Sequence, residues 1–138
     1  MRLTVPATAE HAASIAARLP LRDAAVFAEL EIDPSILLPG LVSDAHAAIC
    51  LVVSGEPIVL LGMMPSGYMW SIFAEAEWPA RWIATECKAF AAAMSREFPL
   101  IRMAEGSDHP KSLKLARWCG FVTVAAYCGI EILELRAP

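Results

Sequence analysis

Glu105 to Phe121 reads EGSDHPKSLKLARWCGF and lies between two apolar runs, Pro99 to Ala104 and Phe121 to Tyr127. Both runs favour strands. The stretch between them carries the punctuation of a helix. Ser107 or Asp108 can cap its start, and Pro110 is tolerated in a first turn, where the missing N–H has no partner to lose. Leu113, Ala116 and Trp118 or Cys119 recur at helical spacing, while Lys111, Lys114 and Arg117 fill the opposite face. Gly120 then stops the helix, because glycine adopts the left-handed turn that ends one. The unit reads strand, polar loop, short helix, glycine, strand.

Upstream, Pro79 fits the first turn of a long helix reaching about Phe98, with Trp82, Ile83, Cys87, Phe90, Ala91 and Met94 on one side. Ala47 to Val53 and Ile58 to Met64 read as two strands joined by the turn Ser54-Gly55-Glu56-Pro57, and Tyr68 to Phe73 reads as a third. These runs are nearly continuous in apolar residues, so both faces of their sheet are expected to be covered. At the N-terminus, Arg2 to Val5 is a short strand, and Thr8 caps a helix from Ala9 to Leu19. Asp23 is positioned to cap a second helix through Glu31, turning Val26, Phe27 and Leu30 inward. Pro34 to Gly40 reads as a loop, with at most a turn of helix from Ser35. Ile130 to Leu135 is the last strand, after a turn at Cys128-Gly129.

The 138 residues suffice for one domain, 1–138, with a real core. With 57% hydrophobic and 19% charged residues the chain is not disordered, and the apolar excess predicts surface covered by a partner. A net charge of −4 argues against general affinity for nucleic acid. The basic face Lys111, Lys114, Arg117 is either a solvated face or a contact for an anionic cofactor or partner. Cys50, Cys87, Cys119 and Cys128 show no CxxC spacing and lie in apolar runs. Buried free thiols are expected, and no metal site. The four tryptophans point to core or interface packing, with the two C-terminal helices burying at least two of them. MRLTVPATAE has no apolar signal core, and the Ser54–Pro57 turn breaks the one long apolar region, Ala45 to Met64. A cytoplasmic protein without a membrane span is expected.

Ser112-Leu113-Lys114-Leu115-Ala116-Arg117-Trp118-Cys119-Gly120-Phe121 resembles the C-terminal half of GNAT (Gcn5-related) N-acetyltransferases, in which a short helix ends in a Gly-Phe pair that opens the next strand. Its wording is most similar to small GNAT-like proteins of tailed bacteriophages. Pro6-Ala7-Thr8, then Ile15 and Leu19, Arg22-Asp23 and Glu29, resembles the start of the same domains. The resemblance covers essentially the whole chain. It implies an α/β fold: a central mixed, mostly antiparallel sheet of about six to seven strands flanked by about four helices. It also implies transfer of an acyl group from acetyl-CoA to an amine whose identity is open. Cofactor contacts would then come from Ser71, Ile72 and Phe73 on a splayed strand, from Ala80, Arg81 and Trp82 at a helix N-terminus, and from Ser112. His109, Ser107 and Asp108 would be the catalytic candidates.

The chain departs from the family pattern at two places. The (Gln/Arg)-x-x-Gly-x-(Gly/Ala) loop that receives pyrophosphate is replaced by Glu75-Ala76-Glu77-Trp78-Pro79-Ala80-Arg81-Trp82, which has two carboxylates and no glycine. Relatives also carry Asn-x-x-Ala-x-x-x-Tyr before the Gly-Phe pair, and its Tyr protonates the departing thiolate. Here those positions are His109, Ser112 and Ala116. Glu29, Glu31, Asp33, Glu75 and His46 are candidates for a base, and none stands out by spacing. The departures keep a second reading open: a non-catalytic GNAT-fold phage protein that acts in virion assembly, or through a homodimer or a phage or host protein partner.

Overall fold

A computed structural model describes residues 1–138. The elements are β1 (Arg2–Pro6), α1 (Ala9–Ala16), α2 (Leu21–Glu29), α3 (Pro34–Asp44), β2 (Ala47–Val53), β3 (Glu56–Met63), β4 (Met69–Phe73), α4 (Ala80–Ser95), β5 (Leu100–Gly106), α5 (Pro110–Trp118), β6 (Val122–Tyr127) and β7 (Ile130–Arg136). The strands form a four-stranded sheet, β1-β2-β3-β4, and a three-stranded sheet, β5-β7-β6. This is the expected α/β arrangement, with seven strands and a fifth helix. The chain divides into two compact units, one of Met1–Pro65 with Trp70–Trp78, the other of Ser66–Met69 with Pro79–Pro138.

In the first unit, β1, β2 and β3 are antiparallel neighbours. Ser54 and Gly55 join β2 to β3 with φ of 50° and 82°. Two consecutive positive φ angles make the hairpin turn whose twist matches the strands. Cys50 to Val52 and Ile58 to Met63 are buried, so these two runs are covered on both faces as expected, whereas in the third run Tyr68 is exposed and Ser71 to Phe73 are half-buried. Helix α1 begins where Thr8 predicts. Thr8 Oγ1 accepts from the His11 amide at 3.2 Å, and His11 Nδ1 accepts from the Thr8 amide at 3.1 Å. Histidine here takes the place of Glu or Gln in a capping box. Ala12 and Ile15 of α1, Leu38 of α3 and Trp70 of β4 join one core cluster with Cys50, Val52, Leu60 and Ala74. Each large side chain buried this way stabilises the fold by roughly 1.5–3 kcal/mol.

Two expectations for this unit are corrected. Residues 34–40 belong to a helix, α3, and not to a loop. Asp33 caps it, its carboxylate accepting from the Ser35 amide at 2.9 Å and the Ser35 hydroxyl at 2.7 Å, and Pro34 sits in the first turn. Pro39 removes one backbone bond inside the helix, but Leu38 beside it is fully buried and anchors the element. Helix α2 starts at Leu21 after Pro20, not at an Asp23 cap, and none of its residues is buried. Val26 and Leu30 face solvent, while Phe27 is half-buried.

In the second unit, α4 buries Ile83, Cys87, Phe90, Ala91 and Met94, and α5 buries Leu113 and Ala116. Ile101, Met103, Phe121 and Leu133 complete this core. Strand β7 pairs antiparallel with β5 on one side and β6 on the other, and Cys128-Gly129 closes the β6–β7 hairpin with positive φ at both residues. The tryptophan expectation fails here: Trp82 is half-buried, and Trp118 is 55% exposed with the Lys88 ammonium 4.4 Å from its ring centroid. Burying Leu113 and Ala116 turns Trp118 outward, two positions further round the helix. Cys50 and Cys87 are buried free thiols, but Cys119 is half-buried and Cys128 is exposed at the hairpin tip. No helix is long and apolar enough to cross a membrane.

Candidate active site

Strand β4 is the outer strand of the four-stranded sheet. The peptide groups on its side away from β3 therefore have no strand partner within that sheet. Trp70 is buried, whereas Ser71, Ile72 and Phe73 are half-buried. The pleat turns Trp70 toward the core, and Gly62 of β3 makes room for its indole: a Cβ at Gly62 would lie 2.1 Å from Trp70 Cζ2. The strand ends where the Ala74 amide donates to the Ile58 carbonyl at 2.9 Å and the Glu75 amide donates to the Arg18 carbonyl at 2.6 Å. Trp78 then folds back on Phe73, ring centroids 4.7 Å apart and nearly parallel. Glu75 and Glu77 are exposed.

In the second unit, Tyr68 forms an isolated parallel bridge with Arg102 of β5, and the Arg102 amide donates to the Gly67 carbonyl at 3.0 Å. Pro79 occupies the N-cap of α4, and no side chain caps that helix. The first-turn amides of Ala80, Arg81 and Trp82 have no intrahelical acceptor, so this end of a 16-residue helix can receive an anion. Ala80 and Arg81 are exposed, and Trp82 is half-buried.

Ser107, Asp108 and His109 share the turn between β5 and α5. The Ser107 amide donates to the Gly129 carbonyl at 2.8 Å, and the His109 amide donates to the Gly106 carbonyl at 3.0 Å. His109 itself is the N-cap residue of α5, and its side chain does not cap the helix. The expected Ser107 or Asp108 cap is thus displaced by one or two residues, because the tight Gly106–His109 turn carries the chain past them. Ser107 and Asp108 are exposed, while His109 and Ser112 are half-buried. Ala116 is 5% exposed and packs in the core. The ten expected contact residues therefore lie on three elements: β4, the first turn of α4, and the β5–α5 turn with the first turn of α5.

Of the basic face on α5, Lys111 and Lys114 are exposed, but Arg117 is engaged. Its guanidinium donates to Glu131 Oε1 at 3.1 Å and to Thr123 Oγ1 at 3.3 Å. Charge is divided unevenly along the chain. Nine carboxylates against three arginines leave the first unit at −6, whereas six carboxylates against eight Lys and Arg leave the second at +2, with histidines neutral. The Cys87 and Cys119 thiols are chemically quiet. Burial pushes the Cys87 thiol up to about 12, with Cys119 and Glu86 adding in the same direction, and burial raises Cys119 to about 11 against the pull of Lys88. No group of His, Cys, Asp and Glu is arranged to hold a metal ion.

Arg18 carries no motif and was not singled out by any sequence pattern. Its guanidinium donates to the Pro57 carbonyl and, at 3.3 Å, to Ser14 Oγ, while its own carbonyl receives the Glu75 amide. The Phe73–Trp78 stack was equally unmarked.

No protein-family model and no curated protein sequence matches the chain. Solved structures do match. A GNAT-family acetyltransferase from Bacillus cereus superposes with a TM-score of 0.72 at 9% identity, over 100% of this chain and 99% of the other. One from Bordetella pertussis gives a TM-score of 0.70 at 22% identity over 96% and 94%. The aminoglycoside acetyltransferase AAC(6')-Ib, solved with ribostamycin and coenzyme A, gives 0.67 at 13% identity over 98% and 93%. The chain has the fold of the GNAT acetyltransferases along its whole length.

Proposed function

We propose that the chain is an acetyl-CoA-dependent N-acetyltransferase. The observation that carries this reading is the succession of an outer strand, β4, and a long helix, α4, whose N-terminus no side chain caps. Those are the two features that acetyl-CoA requires of such a fold. Peptide groups of Ser71, Ile72 and Phe73 would pair with the extended pantetheine arm. Amides of Ala80, Arg81 and Trp82, with the Arg81 guanidinium, would take the pyrophosphate, and Ser112 would add a hydroxyl. Bound acetyl-CoA supplies an acyl thioester; the protein's task is to align an amine beside it, where proximity provides much of the rate. His109 would be the catalytic candidate beside the thioester, with Ser107 and Asp108 as polar neighbours on the same turn. Ala116 cannot donate a proton and is buried besides, so this protein works without a phenol at that place.

Charge guides the choice of acceptor. A first unit at −6 attracts cationic amines and a second at +2 tolerates an anionic cofactor. Structural neighbours named for aminoglycosides and spermidine act on such amines, and polycationic amines head the acceptor screen. The test is release of free thiol from acetyl-CoA against a panel of spermidine, kanamycin, lysine peptides and neutral amines. The reading expects release that depends on a polyamine. Acceptor-independent release only, or none, contradicts it.

A second reading rests on a different observation. Val122, Val124, Tyr127 and Ile130 are 47–80% exposed around the β6–β7 hairpin. A non-catalytic protein of phage assembly, working in the bacterial cytoplasm through a homodimer or a phage or host protein, would use such a surface. It predicts no response to acetyl-CoA.

A further inference from the structure

We infer that Arg18 is a positioning residue: its side chain locks the segment 74–78, the lead-in to α4, against the end of α1. The inference rests on the acetyltransferase reading for its purpose, since 74–78 is the segment that runs into the amides assigned to pyrophosphate. The observations form a closed ring of contacts. The Arg18 guanidinium donates to the Pro57 carbonyl. The next residue along β3, Ile58, accepts the Ala74 amide at 2.9 Å. The residue after Ala74, Glu75, donates its amide to the Arg18 carbonyl at 2.6 Å. One residue thus grips β3 with its side chain and the exit of β4 with its main chain.

The side chain is needed for the main-chain contact. Arg18 lies beyond the last residue of α1, where its amide donates to the Ile15 carbonyl at 3.0 Å. Helix ends fray, so a carbonyl in that position needs an anchor to hold an acceptor site in register. The guanidinium bond to Pro57 is a long-range anchor. It joins residues 39 apart in sequence and is only partly exposed. Glu56, whose side chain is 71% exposed and 3.9 Å from the guanidinium, adds little, because an exposed pair at that distance is screened by water. Once the anchor is released, the Arg18 carbonyl drifts, the Glu75 amide loses its acceptor, and the entry to α4 is no longer preorganised for an anion.

The experiment measures amide hydrogen exchange and coenzyme A affinity on the same proteins: wild type, Arg18→Met, Arg18→Lys and Glu56→Gln. Arg18→Met keeps the apolar stem and removes the donor. The Glu75 amide is expected to exchange roughly tenfold faster in it, the effect of losing one hydrogen bond to a charged group. Its Kd for coenzyme A is expected to rise about fivefold, while core amides such as those of Leu51 and Leu60 keep their protection. Arg18→Lys, which can still donate to Pro57, restores most of both, and Glu56→Gln changes neither. Unchanged exchange at Glu75 in Arg18→Met overturns the lock. Faster exchange with unchanged affinity overturns the positioning role. A wild type that does not bind coenzyme A fails the acetyltransferase reading itself, and takes the positioning role with it while the exchange difference is still read.

Discussion

Gly62→Ala tests how β4 is held. Adding one methyl places a Cβ 2.1, 2.2 and 2.7 Å from Cζ2, Cε2 and Cη2 of Trp70. Ordinary contact begins at 3.4 Å, so the indole must retreat by about 1.3 Å. An indole is rigid, and this one is 7% exposed with its N–H directed at Met64 Sδ, 3.2 Å away. Retreat therefore drags β4 or empties its packing against Ala12, Ile15 and Leu38. Overpacking of this kind costs about 1–3 kcal/mol, and the rigidity of the ring places Gly62→Ala at the upper end. Urea denaturation measures it, read as a midpoint shift at constant slope. The double variant Gly62→Ala/Trp70→Leu should be less destabilised than the sum of its parts, because leucine vacates the space the methyl needs. A loss below about 0.5 kcal/mol in Gly62→Ala, the range of ordinary surface changes, would refute the packing described for β4.

Three other outcomes follow from the same structure. Ala116→Tyr, which restores the phenol at the family position, should cost about 1–3 kcal/mol by overpacking and leave acetyl transfer no faster, as read by denaturation and thiol release; a neutral variant with a higher rate contradicts the burial of Ala116. Arg81→Glu should raise the Kd for coenzyme A about tenfold, more at low salt than at high, and an unchanged Kd removes α4 from the phosphate site. Native protein should be alkylated first at the exposed Cys128, with Cys87 reached only on unfolding. The Cys87 thiol titrates at about 12 when folded against 9.0 unfolded, so its contribution is complete below pH 9 and lost as pH rises toward 12. Cys87 should lower stability there by up to about 1.4 kcal/mol per pH unit, in addition to what Cys50 and Cys119, both raised to about 11, contribute, and Cys87→Ala should reduce the slope by its share.

Much of the fold was legible because its signals are local. Thr8 marks a helix start, Ser54-Gly55 a hairpin, and the apolar runs of β2 and β3 a covered sheet. The Gly120-Phe121 ending, read with the order of elements, pointed to the architecture that the solved structures share. Helix α3 was hidden by Pro39 and Gly40, which read as breakers; the Asp33 cap and the burial of Leu38 outweigh them. Helix α2 misled in the opposite way: its apolar residues suggested an inward face, but Val26 and Leu30 face solvent. The candidate site was legible in part. His109, Ser107, Asp108 and Ser112 cluster because they are neighbours in the chain. Arg18 could not be read, because what it does depends on a carbonyl 39 residues away and on where α1 ends. The Phe73–Trp78 stack depends in the same way on how the chain turns after β4.

The most direct test of an acetyltransferase is a thermal-shift titration with acetyl-CoA, with desulfo-CoA as a competent but unreactive ligand and ATP as a phosphate control. A ligand at a hundredfold excess over its Kd adds about 2.7 kcal/mol to the native state. The proposed function predicts a saturable rise in Tm with acetyl-CoA and desulfo-CoA and none with ATP. No rise at millimolar acetyl-CoA would contradict it, and the exposed β6–β7 surface would then become the place to look for a protein partner.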